Sequence, residues 1–101
     1  MASLTVLYWR DIPAQILARQ GRQSARRELS LRFTEAIDMA AMRSGAKDSE
    51  AYLGAWRRGD PAPCDDNLEA AADQLMNEIE AAYPDTRLAA LVTSAGWETA
   101  P

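Results

Sequence analysis

The 101-residue chain contains no histidine, one cysteine and one lysine. The absence of histidine removes the usual general base, the imidazole metal ligand and the side chain that titrates near neutral pH. Cys64 alone can form no internal disulfide and no multi-thiolate zinc site. It stands in Pro63-Cys64-Asp65-Asp66, where two carboxylates oppose the lowered thiol pKa that a following helix favours, so no catalytic cysteine is expected. There is no Gly-rich phosphate loop, and no stretch approaches the roughly 18 apolar residues needed to span a bilayer. Met1-Ala2-Ser3-Leu4 lacks the basic segment and apolar run of a secretory signal. A soluble cytoplasmic protein is the expectation, with no membrane contact, no metal and no cofactor.

What is present is apolar material for one small domain and an uneven distribution of charge. The net charge of -4 argues against broad nucleic-acid affinity, which depends on neutralising several phosphates. Residues 1–59 hold ten Arg or Lys against six Asp or Glu, whereas residues 60–101 hold Arg87 against nine acids. Either the acidic half folds over the basic half, or one charged face meets a partner.

Leu4-Thr5-Val6-Leu7-Tyr8-Trp9 reads as a strand, with Leu4, Val6 and Tyr8 on one face and Leu7 and Trp9 on the other. Pro13 suits the exit of that strand, and a second strand is expected over Ala14–Gln20, with Gly21 as the turn. Residues 22–29 fit a third strand better than a helix capped at Ser24. Two strands alone are marginal, so either this third strand exists or a homodimer satisfies the free edge.

Ser30 is a plausible N-cap for a helix whose Phe33, Ile37, Ala40 and Ala41 recur at helical spacing and which Gly45 ends. Asp48 or Ser49 caps a second helix, with Tyr52, Leu53 and Trp56 on one face. A third starts at Asp65 or Asp66, with Glu69 completing a capping box, and carries a stripe from Leu68 to Tyr83. Pro84 ends it, and Asp85 caps a last helix bearing Leu88, Leu91 and Val92, with Trp97 beyond it as a lid on the core. The fold class is α+β, a small antiparallel sheet of two or three strands packed against three to four helices. It forms one domain ordered over about residues 4–94, with a frayed C-terminal tail.

Three groups of residues are candidate contacts. Arg10 and Asp11, at the aromatic end of the first strand beside Tyr8 and Trp9, can orient a polar ligand or serve the turn itself. Arg19, Arg22, Arg26, Arg27 and Arg32 form a basic patch for RNA, for an acidic protein surface, or for internal pairing. Tyr52, Trp56, Arg57 and Arg58 combine apolar anchors with cations, as interface hot spots do, or belong to a packed helix. No catalytic residue stands out. A non-catalytic protein-interaction role leads, ahead of a ligand-binding protein or enzyme using Arg10 and Asp11, and of RNA binding through the arginine patch.

Tyr8-Trp9-Arg10-Asp11-Ile12-Pro13-Ala14-Gln15 and Arg32-Phe33-Thr34-Glu35-Ala36-Ile37-Asp38-Met39-Ala40-Ala41-Met42, with Tyr52-Leu53 and Trp56, resemble the small bacterial domain family labelled "virulence factor". The resemblance covers about residues 4–90. The label names a phenotype and fixes no chemistry. The resemblance implies a small single domain encoded, in some alphaproteobacteria, near folate- and cobalamin-dependent methyl-transfer enzymes. An accessory subunit of such an enzyme fits that setting, and the resemblance transfers no catalytic residue.

Overall fold

The computed structural model describes residues 2–45 and 49–98. Strands β1 (Ser3–Trp9), β2 (Ile12–Gln20) and β3 (Gln23–Glu28) form an antiparallel meander closed by two-residue turns at Arg10-Asp11 and Gly21-Arg22. Helix α1 (Leu31–Ser44), helix α2 (Ser49–Gly54), β4 (Trp56–Arg58), β5 (Ala62–Pro63), α3 (Leu68–Ala82) and α4 (Asp85–Thr93) follow. Both β4 and β5 pair antiparallel with β1, at Leu7–Trp9 and at Ser3-Leu4, so one sheet edge is divided between two short strands. The expected α+β architecture is present, with five strands and four helices among the described residues, so the sheet is wider than the two or three strands expected, because β4 and β5 add to β1.

Alternation along the strands sorts the side chains, because cross-strand partners share a face. Leu4, Ala18 and Ala25 form one row on the inner face, with Val6, Ile16 and Arg27 beside it. Helix α3 covers this face with Leu68, Ala72 and Ile79, while α1 and α4 pack together and add Phe33, Ile37, Ala40, Leu88 and Leu91 to the same core. Thr5, Leu17 and Arg26 form a row on the other face, as do Leu7, Gln15 and Glu28. Trp9 has the parity of Thr5 and Leu7 and Ile12 that of Ile16 and Ala18, but the register slip after Leu7 sets the two opposite each other, and both are fully buried in the core. The indole Nε1 of Trp9 donates to the Tyr52 carbonyl of α2 at 3.0 Å.

Several local expectations are corrected. Pro13 does not close the first strand. It lies inside β2, which begins at Ile12 rather than Ala14, opposite Tyr8 where the register slips by one residue. An irregular ladder position tolerates the missing N–H. The second helix stops at Gly54, and Trp56 belongs to β4, where it pairs with Trp9, so the Tyr52–Trp56 helical face does not form. Ser49 is already helical, and the alternative cap Asp48 lies outside the described residues. Helix α3 is capped by Asn67, whose Oδ1 accepts from the Ala70 N–H at 3.2 Å, rather than by Asp65 or Asp66. Those two serve neighbours instead: Asp65 accepts from the Asn67 N–H and Asp66 from the Gln20 amide. Glu69 therefore completes no capping box. Pro84, not Asp85, occupies the cap position of α4.

Ser30 does hold the N-cap position of α1, but its hydroxyl makes no cap bond. A carboxylate from α3 takes over the junction. Glu80 accepts from the Ser30 N–H at 2.7 Å, from Ser30 Oγ at 2.9 Å and from Arg32 Nη2 at 3.0 Å. Burial alone would push its carboxyl up, yet the Ser30 and Arg32 bonds more than offset that and hold it below the usual carboxylate range. Arg32 also donates to the carbonyl of Tyr83 and reaches Asp85 at 3.3 Å. At its other end α1 closes on Gly45, whose φ of 76° is the left-handed cap conformation and whose N–H meets the Ala41 and Met42 carbonyls.

Candidate functional site

Arg10 and Asp11 form the β1–β2 turn, and tertiary contacts fix it from three sides. Arg10 adopts φ 55°, a region that costs a side-chain-bearing residue about 1 kcal/mol or more. Its N–H donates to the Ala55 carbonyl at 3.0 Å, and its Nη1 to the Ala95 carbonyl at 2.7 Å. The guanidinium lies between two indoles, 4.9 Å from the Trp9 ring centre and 5.1 Å from that of Trp97. The Asp11 N–H donates to the Gly96 carbonyl at 2.8 Å. Both Asp11 oxygens are engaged: Oδ1 accepts from Arg57 Nη2 at 3.0 Å and Oδ2 from the Glu98 N–H at 2.7 Å. The turn thus anchors the segment after α4, the α2–β4 connection and β4.

The aromatic and cationic candidates gather around this anchor and satisfy one another. Tyr52 lies 5.9 Å from Trp9 and 6.0 Å from Trp56, ring centre to ring centre. Arg57 donates through Nε to the Arg10 carbonyl and lies over the Tyr8 ring at 4.5 Å. Trp9, expected as a contact candidate, is fully buried and so offers no surface for contact. Trp97, expected as a lid on the core, is instead 40% exposed and lies outside the core, stacked against the Arg10 guanidinium. A cleft of about 340 Å³ beside the turn is lined by Tyr8, Asp11, Arg57, Asp60, Tyr83 and Arg87 among others, and Arg10 is not part of its wall. Arg87 donates to Glu98 at 2.7 Å, which pushes its guanidinium up. Burial raises the Tyr83 phenol above its ordinary value, with Arg87, stacked over its ring at 3.9 Å, opposing the shift. The two arginines of the cleft are therefore committed to ion pairs with Asp11 and Glu98.

The arginine patch does not stand as one surface. Strand alternation turns Arg27 inward, where its Nε donates to Asp73 at 2.6 Å and its Nη2 lies 3.8 Å from Glu69. The Asp73 bond is the main cause of a raised Arg27 pKa. Arg32 is taken by Glu80 and Asp85. The acidic C-terminal half thus folds over part of the basic N-terminal half. Arg19 and Arg26 go to the open sheet face and Arg22 to the β2–β3 turn, and β4 adds Arg58 opposite Leu7. Among the described residues none of these four makes an ion pair.

Thr5, Leu7, Gln15, Leu17, Arg26 and Arg58 line a shallow depression of about 70 Å³ at the centre of this face. Aliphatic Leu7 and Leu17, half-buried, sit between guanidinium groups, with Glu28 the one acid in the same rows. Sequence reasoning identified Arg19, Arg22 and Arg26 but missed Leu7 and Leu17 as their companions. It also placed Arg58 with a helix. The signal that could have found Arg58 is Gly54 followed by Trp56-Arg57-Arg58, a helix stop before a short aromatic-led run.

Among the described residues no group of three or more His, Cys, Asp or Glu is arranged to hold a metal ion. No helix among them is long and apolar enough to cross a membrane. No curated protein and no solved structure matches the chain. The family described as Virulence factor matches residues 7–92, from the middle of β1 through nearly the whole of α4 and including the anchoring turn and the open sheet face, and the chain belongs to that family.

Proposed function

We propose that this protein is a non-catalytic interaction protein, an accessory subunit that receives an acidic partner protein on the open face of its sheet. One observation carries the reading: Arg19, Arg26 and Arg58 surround Leu7 and Leu17 on that face without an ion-pair partner, while Arg27, Arg32, Arg57 and Arg87 are all paired. Unpaired guanidinium groups around a small apolar centre have the composition of an interface core and its rim. Their field favours approach of an acidic surface and suppresses basic ones. The Arg10–Asp11 turn, whose two amides, Arg10 carbonyl, Asp11 carboxylate and Arg10 Nη1 are already bonded inside the fold, supports a structural role more than a ligand site.

The same basic face bears on RNA, but Leu7 and Leu17 stand where stacking recognition of single strands requires aromatic rings. The family resemblance makes an enzyme of one-carbon or methyl transfer the first partner to try.

A photo-crosslinking residue placed at Leu17, and in a second sample at Glu78 on the exposed side of α3, tests the reading in living cells. One protein captured at Leu17, absent at Glu78 and lost in the Arg26→Glu/Arg58→Glu double variant is the expected result. Capture of RNA at Leu17, or equal capture at both positions, overturns it.

A further inference from the structure

Resting on the basic-face reading, we infer that the partner is held by strand addition: an extended acidic segment pairs with the free edge of β3. The sheet has two edges. One is divided between β4, three residues long, and β5, two residues long. The other is β3, a continuous six-residue strand that among the described residues pairs only with β2.

The ladder identifies which backbone groups of β3 point away from the sheet. The Leu29 N–H donates to the Ala14 carbonyl at 3.1 Å, in the same register as the β2–β3 pairs. Antiparallel bonding alternates along a strand, so Arg27, Ala25 and Gln23 bond to β2. The N–H and C=O groups of Ser24, Arg26 and Glu28 face outward. Of these six groups, the Arg26 carbonyl accepts from Arg27 Nη1 at 2.9 Å and keeps a second lone pair. The remaining outward groups have no partner among the described residues.

A groove of about 600 Å³ runs along this edge, bounded by Gln23–Arg27 on one side and by Asp66–Glu69 at the start of α3 on the other. Ala25 and Leu68, both nearly buried, contribute its apolar floor. A strand laid at the usual spacing of about 4.8 Å from β3 falls in this groove. Its side chains alternate: those beside Ala25 point toward the apolar floor, and those beside Ser24, Arg26 and Glu28 rise onto the open face. The first set suits small apolar residues. The second meets Arg26, with Arg22 at the turn and Arg19 one strand further in, and suits carboxylates.

The same arginines decide against the competing occupant. Pairing β3 with β3 of a second copy in the antiparallel register centred on Arg26, which lets the outward groups of Ser24, Arg26 and Glu28 all bond, sets the two Arg26 side chains face to face, and facing like charges are destabilising. In that fully bonded register the edge disfavours its own kind, and the same Arg26 favours an acidic strand.

The test uses the full chain and a capped decapeptide of alternating Glu and Val as the probe, with residue-resolved amide exchange and fluorescence anisotropy. In the free protein the amides of Ser24, Arg26 and Glu28 exchange faster than those of Ala25 and Arg27. On binding, these three slow by about tenfold or more. Ser24→Pro removes one outward donor and leaves the β2–β3 ladder intact, and it weakens binding by about fivefold to tenfold, the loss expected for one hydrogen bond. If that variant fails to fold, exchange in the unaltered protein still decides.

Binding that leaves the three amides unprotected and is insensitive to Ser24→Pro, yet is lost in Arg26→Glu, overturns strand addition and spares the basic-face reading. Failure of the probe to bind also overturns strand addition, while crosslinking at Leu17 decides the face by itself.

Discussion

Glu80 is one side chain through which α3 organises the start of α1. It replaces the missing Ser30 side-chain cap by accepting two bonds from Ser30, and it pairs with Arg32 at 3.0 Å. Its side chain is 27% exposed, so water partly competes for these donors. A charge-assisted bond contributes about 1.5–3 kcal/mol in a dry site, and an exposed pair well under 1 kcal/mol. For three contacts at a half-open junction, Glu80→Ala should cost about 2 kcal/mol. In urea that loss shifts the midpoint down by about 1.5 M at unchanged slope, and in a thermal scan it lowers Tm by about 10 °C.

The pH dependence supplies an independent check. Because the folded-state pKa of Glu80 is lowered, its contribution is complete above the unfolded carboxylate value and fades as pH falls through the folded one. The deficit of Glu80→Ala relative to the unaltered protein should therefore be full at neutral pH and shrink below about pH 4. A deficit under about 0.5 kcal/mol at neutral pH, or one that persists undiminished in acid, refutes the cap-replacement argument.

Substitutions at Gly96 and Trp9 probe the anchoring turn, with Gly45 at the end of α1 as the comparison. A Cβ at Gly96 would stand 3.0 Å from the Trp9 ring and 3.1 Å from Arg10 Cδ, at a φ of 96°, so Gly96→Ala should cost about 2–3 kcal/mol by chemical denaturation. Gly45→Ala, where φ is 76° but the space is open, should cost only about 1 kcal/mol, and equal losses would contradict the steric part of the account. Trp9→Ala removes a fully buried indole and its bond to Tyr52, so a loss of about 4 kcal/mol is expected, near the whole stability of many small domains. Native-like circular dichroism and an unchanged denaturation midpoint would show that Trp9 is not the core residue described.

Much of the local structure was legible because it depends on short-range chemistry. Phe33, Ile37, Ala40 and Ala41 share a helical face, Gly45 ends that helix, and the stripe from Leu68 through Ile79 seats α3, since periodicity and a glycine stop act over a few residues. The alternation of Leu4 and Val6 against Leu7 and Trp9 was equally readable. The family was legible in the octet from Tyr8 to Gln15, part of which forms the anchoring turn. Those residues meet Ala55, Arg57, Gly96 and Glu98, which lie roughly 45 to 90 positions away in the chain, so their structural use could not be read from their own segment.

The sequence by itself determined the fold class, the family and the segregation of charge between the two halves. Only the tertiary structure decided which arginines are spent inside the molecule. Arg26 and Arg27 are adjacent and chemically identical, yet the two-residue period of a strand sends one to the open face and the other to Asp73. Arg58 joins Arg26 because β4 pairs with β1, a contact between residues about 50 positions apart. Composition counts charges, whereas pairing depends on which face each side chain takes and what packs against that face.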